Sequence, residues 1–294
     1  MRGDPGAHEL VAPGSLPAVL ELLAEDPGTW TPIAGGTELM VAHAAGRLSA
    51  AKLVSLWGVR ELRFIEMDTD SIAIGGGTTF RDLRAHEGIA TQLPLLAKAA
   101  SWIGSIANQS RATVGGNLVN GSPAADSSPA LLVYDAEIEL ISTRGKRRIP
   151  YAGFHTGYKS NAMTADELLF AVHLPLRFGQ HRQYLRKVGT RRAMAISKVA
   201  LAATALVKVD GGIIDEIRLA AASLAAFPAR LYQTEGALIG KPLNSLTIEV
   251  AREALLAEAK PIDDIRSTAE YRKRVAANLL EEFLHTLTPE GSPR

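Results

Sequence analysis

Ile33-Ala34-Gly35-Gly36-Thr37-Glu38 lies between the apolar stretch Thr29-Trp30-Thr31-Pro32-Ile33 and the amphipathic opening Leu39-Met40. The stretch before it reads as a strand, and the glycine pair as the turn out of that strand. Without Cβ atoms, Gly35 and Gly36 let backbone N–H groups converge, and Thr37 is placed to cap a following helix whose N-terminus favours an anion. A phosphate turn and a plain strand-to-helix turn both satisfy this pattern. A second glycine pair sits in Thr113-Val114-Gly115-Gly116-Asn117, followed by Asn120-Gly121-Ser122-Pro123-Ala124-Ala125-Asp126-Ser127-Ser128-Pro129. Its amides, hydroxyls and carboxylate offer dense hydrogen bonding at little steric cost, and the interleaved Leu118, Val119, Ala124 and Ala125 imply burial against something polar. Residues 107–128 read as one Gly-rich loop, either ligand-binding or a flexible surface segment.

Working outward, Ser15 precedes Leu16-Pro17 and apolar residues recur at Leu16, Val19, Leu20 and Leu23, which predicts a short capped helix. Lys52–Leu56 predicts a strand, and Arg63–Gly75 a hairpin turning at Asp68-Thr69-Asp70. Gly75-Gly76-Gly77-Thr78 reads as a hairpin end, because no Gly-Lys-Ser/Thr follows at Walker spacing. Helices are expected near Thr79–Ala85 and Pro94–Ile103, and strands at Ala136–Ile141 and Leu168–Leu174. Pro175–Gln180 reads as a linker. Beyond it, Gln183–Val188, the apolar Ala-rich run to Val209, a turn at Asp210-Gly211-Gly212 and Ile213–Ala222 predict a meander of strands. Helices follow at Pro228–Ile239 and Thr247–Ala259, and Ser267-Thr268-Ala269-Glu270 has the form of a capping box for a last helix.

The 294 residues, at roughly 150 per domain, imply about two domains, each able to bury its own core. We divide the chain into 1–178, with subdomains near 1–56 and 57–178, and an α+β domain over 179–294. Hydrophobic residues make up 47% and charged residues 21%, which excludes a disordered or fibrous chain. The net charge of +1 offers no bulk field for a polyphosphate, so no nucleic-acid partner is expected. There is no cysteine, which excludes disulfides, thiolate metal sites and any Cys-ligated iron–sulfur cluster within this chain. The seven histidines form no H-x-x-x-H or H-E-x-x-H pair, so no metal is expected, and no G-x-G-x-x-G opens a Rossmann helix. Neither an apolar signal core in Met1–Gly14 nor a span of about 20 apolar residues is present, so no membrane span and a cytoplasmic location are expected.

In this order and together, the two glycine pairs resemble the flavoprotein (medium) subunits of the molybdenum hydroxylase family, of xanthine dehydrogenase and aerobic carbon monoxide dehydrogenase type. Ala34-Gly35-Gly36-Thr37-Glu38 is similar to the family's A-G-G-T-D, with Glu for Asp at 38. Thr113-Val114-Gly115-Gly116-Asn117 is similar to its T-I-G-G-N, continuing into Ser122-Pro123-Ala124-Ala125-Asp126, and Lys187-Val188-Gly189 through Ile196-Ser197 resembles its K-V-G-x-R-x-x-x-x-I-S element. The resemblance implies an α+β fold: two α/β subdomains forming a vanillyl-alcohol-oxidase/PCMH-like FAD-binding domain, and a C-terminal domain of the carbon monoxide dehydrogenase flavoprotein type.

It further implies FAD between the subdomains, with Pro32, Ile33, Ala34, Gly35, Gly36, Thr37, Glu38 and Leu39 around the diphosphate. Gly115, Gly116 and Asn117 would approach from the other side, Gly116 with positive φ, and the Thr113 hydroxyl would donate to a phosphate. Asp126 would accept from cofactor hydroxyls, Ile103 and Lys198 would lie by the isoalloxazine, and Leu169 would give a backbone contact. Residue-level alternatives remain: helix core for Ile103, strand core for Leu169, a solvent-facing strand lysine for Lys198. The implied function is an oxidoreductase subunit with no catalytic acid or base of its own, passing electrons from a [2Fe-2S] small subunit through FAD to NAD, quinone or oxygen, while a molybdopterin-binding large subunit oxidises the substrate. The alternatives are a self-contained FAD oxidoreductase of the wider fold family and a structural subunit without flavin.

Overall fold

The computed structural model describes residues 4–191, 193–208 and 212–287. Asp210 and Gly211 of the expected turn lie outside them. From the N-terminus come β1 (Glu9–Val11), α1 (Leu16–Glu25), β2 (Trp30–Ile33), α2 (Leu39–Ala44) and β3 (Lys52–Ser55). These strands form a parallel sheet in the order β1-β3-β2. The Ser15 hydroxyl accepts from the Ala18 N–H to cap α1, whose Leu16, Val19, Leu20 and Leu23 pack against Val54, Val59, Leu62 and Leu168. That cluster draws on residues past 56, so the first subdomain's core is completed by the second.

Next come β4 (Ile65–Met67), β5 (Ser71–Gly75), α3 (Phe80–Ala85), α4 (Glu87–Gln92), α5 (Pro94–Ala100), α6 (Ile106–Gln109), α7 (Val114–Val119) and α8 (Ser128–Val133). The stretch 107–128 is therefore not one loop. Its small polar residues serve as helix caps: Ser105 accepts from Asn108 and Thr113 from Gly116, and helices of four to six residues are too short to show a period. Strands β6 (Glu137–Ser142), β7 (Gly145–Pro150) and β10 (Leu168–Pro175) complete an antiparallel sheet ordered β4-β5-β10-β6-β7. Between β7 and β10 a small hairpin pairs β8 (His155–Gly157) with β9 (Ser160–Asn161). Gly75-Gly76-Gly77-Thr78 ends the β4–β5 hairpin, Gly75 donating to Phe64 O, and leads into α3.

The remainder is an antiparallel sheet of β11 (Arg182–Val188), β12 (Val199–Val207), β13 (Ile214–Ala222) and β14 (Ala229–Arg230), with α9 (Tyr232–Leu238), α10 (Ser245–Glu258) and α11 (Ala269–His285). One face, through Leu201, Ala203, Leu219 and Ala221, packs on the helices. The other, through Ala202 and Ala220, joins the main core with residues of α5 and α8 and with Phe178. Burial on both faces accounts for the unbroken apolar reading of β12, and it means that the two expected domains share a core. Ala229–Arg230, expected in a helix, is an edge strand paired with Ala220 and Ala221. The cap of α11 is Thr268, accepting from Tyr271, one residue after the expected Ser267, and Asp263 takes the Ala269 N–H.

Candidate functional site

The loop after β2 leaves the carboxyl end of a parallel sheet, where open α/β sheets place ligands. There it walls a cavity of about 750 Å³, within the range of small-molecule sites. Opposite lie Gly76 and Gly77, the start of α7, Ile103, and the segment from Met163 to Leu169. Three glycines set this geometry by close backbone approach. A Cβ on Gly35 would sit 1.7 Å from the Arg111 carbonyl oxygen, one on Gly76 2.2 Å from that of Leu169, and one on Gly115 2.8 Å from that of Gly76. Gly36 holds φ +74°, a left-handed conformation that favours glycine.

Backbone donors decide which wall can hold an anion. Among the described residues, the N–H groups of Ala34, Gly35, Gly36, Thr37 and Glu38 have no protein acceptor. The α7 end differs. Val114 donates to Thr78 O at 2.9 Å, Gly115 to Gly76 O at 2.8 Å, and Gly116 to Thr113 Oγ1 at 3.1 Å. A diphosphate therefore meets free donors on the first loop and spent donors on the second. Thr113 still carries a hydroxyl hydrogen to donate. Gly116 is helical and not at positive φ, so its reason for being glycine is room at the cavity wall.

Of the residues singled out in the sequence, Pro32, Ala34, Gly35, Gly36, Thr37, Glu38, Leu39, Ile103, Thr113, Gly115, Gly116, Asn117 and Leu169 line the cavity; Ile33, Asp126 and Lys198 do not. Ile33 ends β2, its carbonyl accepting from Leu56 and its side chain lying beneath Gly36. Asp126 is buried, and its carboxylate is occupied by the Lys187 ammonium and the Ser197 hydroxyl, which join the α7–α8 connection to β11 and the start of β12. Burial, outweighing Lys187, pushes its carboxyl above the usual range. It thus ties the α7–α8 connection to β11 and lies outside the cavity lining. Lys198 has its Nζ over the Tyr271 ring, 4.9 Å from the centroid, on the α11 side.

Sequence reading missed Gly76, Gly77, Trp57, Arg63 and Glu167, all in the wall. Gly76 and Gly77 carried a signal in the triple glycine; the others come together only through the fold. Arg111 stacks on Trp57 at 3.7 Å and reaches Gly35 O at 3.4 Å, which fastens the first loop to the α6–α7 turn. Arg63 pairs with Asp82, and the Arg147 guanidinium holds the Glu167 carboxyl below its ordinary range. There is no His among the described residues that line the wall. Among the described residues no cluster suited to a metal occurs, and no helix is long and apolar enough to cross a membrane.

Residues 6–177 match the family model of the FAD-binding domain in molybdopterin dehydrogenase, and 184–287 that of the CO dehydrogenase flavoprotein C-terminal domain. The chain is 33% identical over 272 residues to the xanthine dehydrogenase FAD-binding subunit of Escherichia coli O157:H7, covering 92% of each. To the carbon monoxide dehydrogenase medium chain of Hydrogenophaga pseudoflava it is 26% identical over 286 residues, covering 96% of this chain and 97% of that one. A solved structure of carbon monoxide dehydrogenase from H. pseudoflava superposes with a TM-score of 0.89 at 25% identity, covering 96% of this chain and 97% of that one. With a glycine-walled cavity whose free donors suit a diphosphate, the chain belongs to the family of FAD-binding medium subunits of the molybdenum hydroxylases, the oxidoreductases of xanthine dehydrogenase and carbon monoxide dehydrogenase type.

Proposed function

We propose that the cavity holds noncovalent FAD with its diphosphate on the N–H groups of Ala34 to Glu38, and that the chain relays electrons in a cytoplasmic complex. The donor is a [2Fe-2S] small subunit, the organic substrate reacts on a molybdopterin-binding large subunit, and the acceptor is NAD, quinone or oxygen. The observation that carries this reading is the row of unpaired N–H groups on a loop held open by Gly35 and Gly36. Bound there, FAD supplies a redox centre that the chain's own side chains lack. The protein's share is to bind and orient it. Gly76 and Gly115 let the backbone segments of the opposite wall approach closely, Arg111 and Trp57 lock the loop, and Glu167 is spent on Arg147.

The test is purification of the assembled complex, with flavin, iron and molybdenum measured on its separated chains. We expect FAD on this chain, released by acid precipitation, and metals on the others. Oxidation of an organic substrate by this chain without partners, or an assembled complex without flavin, would overturn the proposal.

A further inference from the structure

Glu38 is the one lining residue of the FAD-binding loop that carries a charge, and the charge has the wrong sign for a neighbouring diphosphate. Its carboxylate caps no helix: α2 begins after it without a side-chain cap. Instead it accepts from the Lys159 ammonium at 3.2 Å. Lys159 lies at the tip of the β8–β9 hairpin, two residues before the wall residue Asn161 and outside the lining itself, where it adopts φ +51°. The hairpin is moored to α7: His155 bonds Leu118 O at 2.8 Å, Asn161 donates to Val119 O at 3.4 Å, and the Lys159 backbone packs on Gly121 so closely that a Cβ there would lie 3.2 Å away. The other charged wall residues, Arg63 and Glu167, are committed to Asp82 and Arg147.

We propose that Lys159 is a positioning residue for the FAD-binding loop: by pairing with Glu38 beside the cavity it cancels the carboxylate that opposes the FAD diphosphate and ties the loop to the hairpin moored on α7. The inference rests on the placement of the diphosphate given above. Loss of the cation leaves a free carboxylate beside a dianion, while loss of both charges leaves neither. The penalty of removing Lys159 therefore depends on Glu38, which a purely structural role of the hairpin would not require.

The experiment measures FAD dissociation constants by flavin fluorescence on the full chain, for wild type, Lys159→Met, Lys159→Arg, Glu38→Gln and the double variant, at low and high salt. Lys159→Met is expected to weaken FAD by about five-fold at low salt, the scale of a partly exposed ion pair. Lys159→Arg restores binding, high salt shrinks the loss, and in the Glu38→Gln background the loss falls within error. An equal loss with and without Glu38, or none in either, overturns the role of the pair while leaving the FAD placement standing. Failure of wild type to bind FAD overturns the placement and this proposal with it. Thermal melts of each variant separate misfolding from weakened binding, and Lys159→Gln, which also removes the charge but keeps a polar end, takes the place of Lys159→Met in the cycle if that variant unfolds.

Discussion

At the scale of single residues, the glycines of the two pairs do different work, and substitutions separate them. Gly35 abuts backbone, the Arg111 carbonyl, which cannot step aside without moving the α6–α7 turn. Gly35→Ala is therefore expected to lower both the urea midpoint and the flavin-to-protein ratio. At Gly116 a Cβ meets two side chains and no backbone, the Thr113 hydroxyl at 3.0 Å and the Ala34 Cβ at 3.7 Å, and no positive φ is needed. Gly116→Val places a branched side chain at the cavity wall on a one-turn helix, so flavin content should fall while the midpoint moves less than in Gly35→Ala. Equal midpoint shifts would show that Gly116, too, is needed for packing. Lys198 offers the opposite expectation. Its ammonium rests on Tyr271 and outside the cavity wall, so Lys198→Ala should leave flavin content and reduction potential unchanged, checked by redox titration of the holoprotein.

At the scale of elements, α7 shows how a helix too short to be seen in sequence organises the site. Thr113 supplies its N-cap, Gly115 lets it lie against Gly76, and Leu118 and Val119 carbonyls anchor the β8–β9 hairpin. Thr113→Val removes the cap acceptor and is expected to cost about 1 kcal/mol of unfolding free energy, read from denaturant melts, whereas Thr113→Ser should retain most of it.

The same element marks the limits of legibility. Strands β5 and β6 and helices α3 and α5 were readable because their apolar residues alternate or recur against the main core, and α1 because its own recur against a smaller cluster. The run 107–128 was not, because cap residues and loop residues are the same small polar types, and only tertiary contacts distinguish them. In the site, the loop after β2 was legible through its glycines. Asp126 was not: its burial by Lys187 and Ser197 depends on residues distant in sequence. The wall positions of Trp57 and Arg63 are likewise products of folding.

At the scale of the whole molecule, the halves are joined by a shared core and by a charged network at its edge. Asp135, at the end of α8 with φ +51°, accepts from Arg177, Arg218 and Arg230, while Glu216 on β13 pairs with Arg177 and Arg218. Arg177 follows β10, so the network ties the five-stranded sheet to the sheet of β11 to β14. The Arg218 hydrogen bond is the main cause that draws the Glu216 carboxyl down from 4.5 to about 2. A carboxyl with a depressed folded pKa stabilises the fold above its unfolded pKa and loses that contribution as pH falls through the folded value. The loss attributable to Glu216 is thus expected between about pH 4.5 and 2. Its side chain is 39% exposed, so screening keeps the effect small and salt-sensitive. Asp126 has the opposite sign: burial raises its pKa, the folded state holds its proton more tightly, and acidification does not weaken the fold through it. Urea midpoints measured from pH 6 down to the acid limit at low salt should therefore fall less steeply in Glu216→Gln than in wild type, and the difference should close in high salt. An identical acid slope in the two proteins would mean that the Glu216 pairs with Arg177 and Arg218 add nothing to the joint between the halves, leaving it to the alanine-faced core, the Asp135–Arg230 pair and the Asp126 tie.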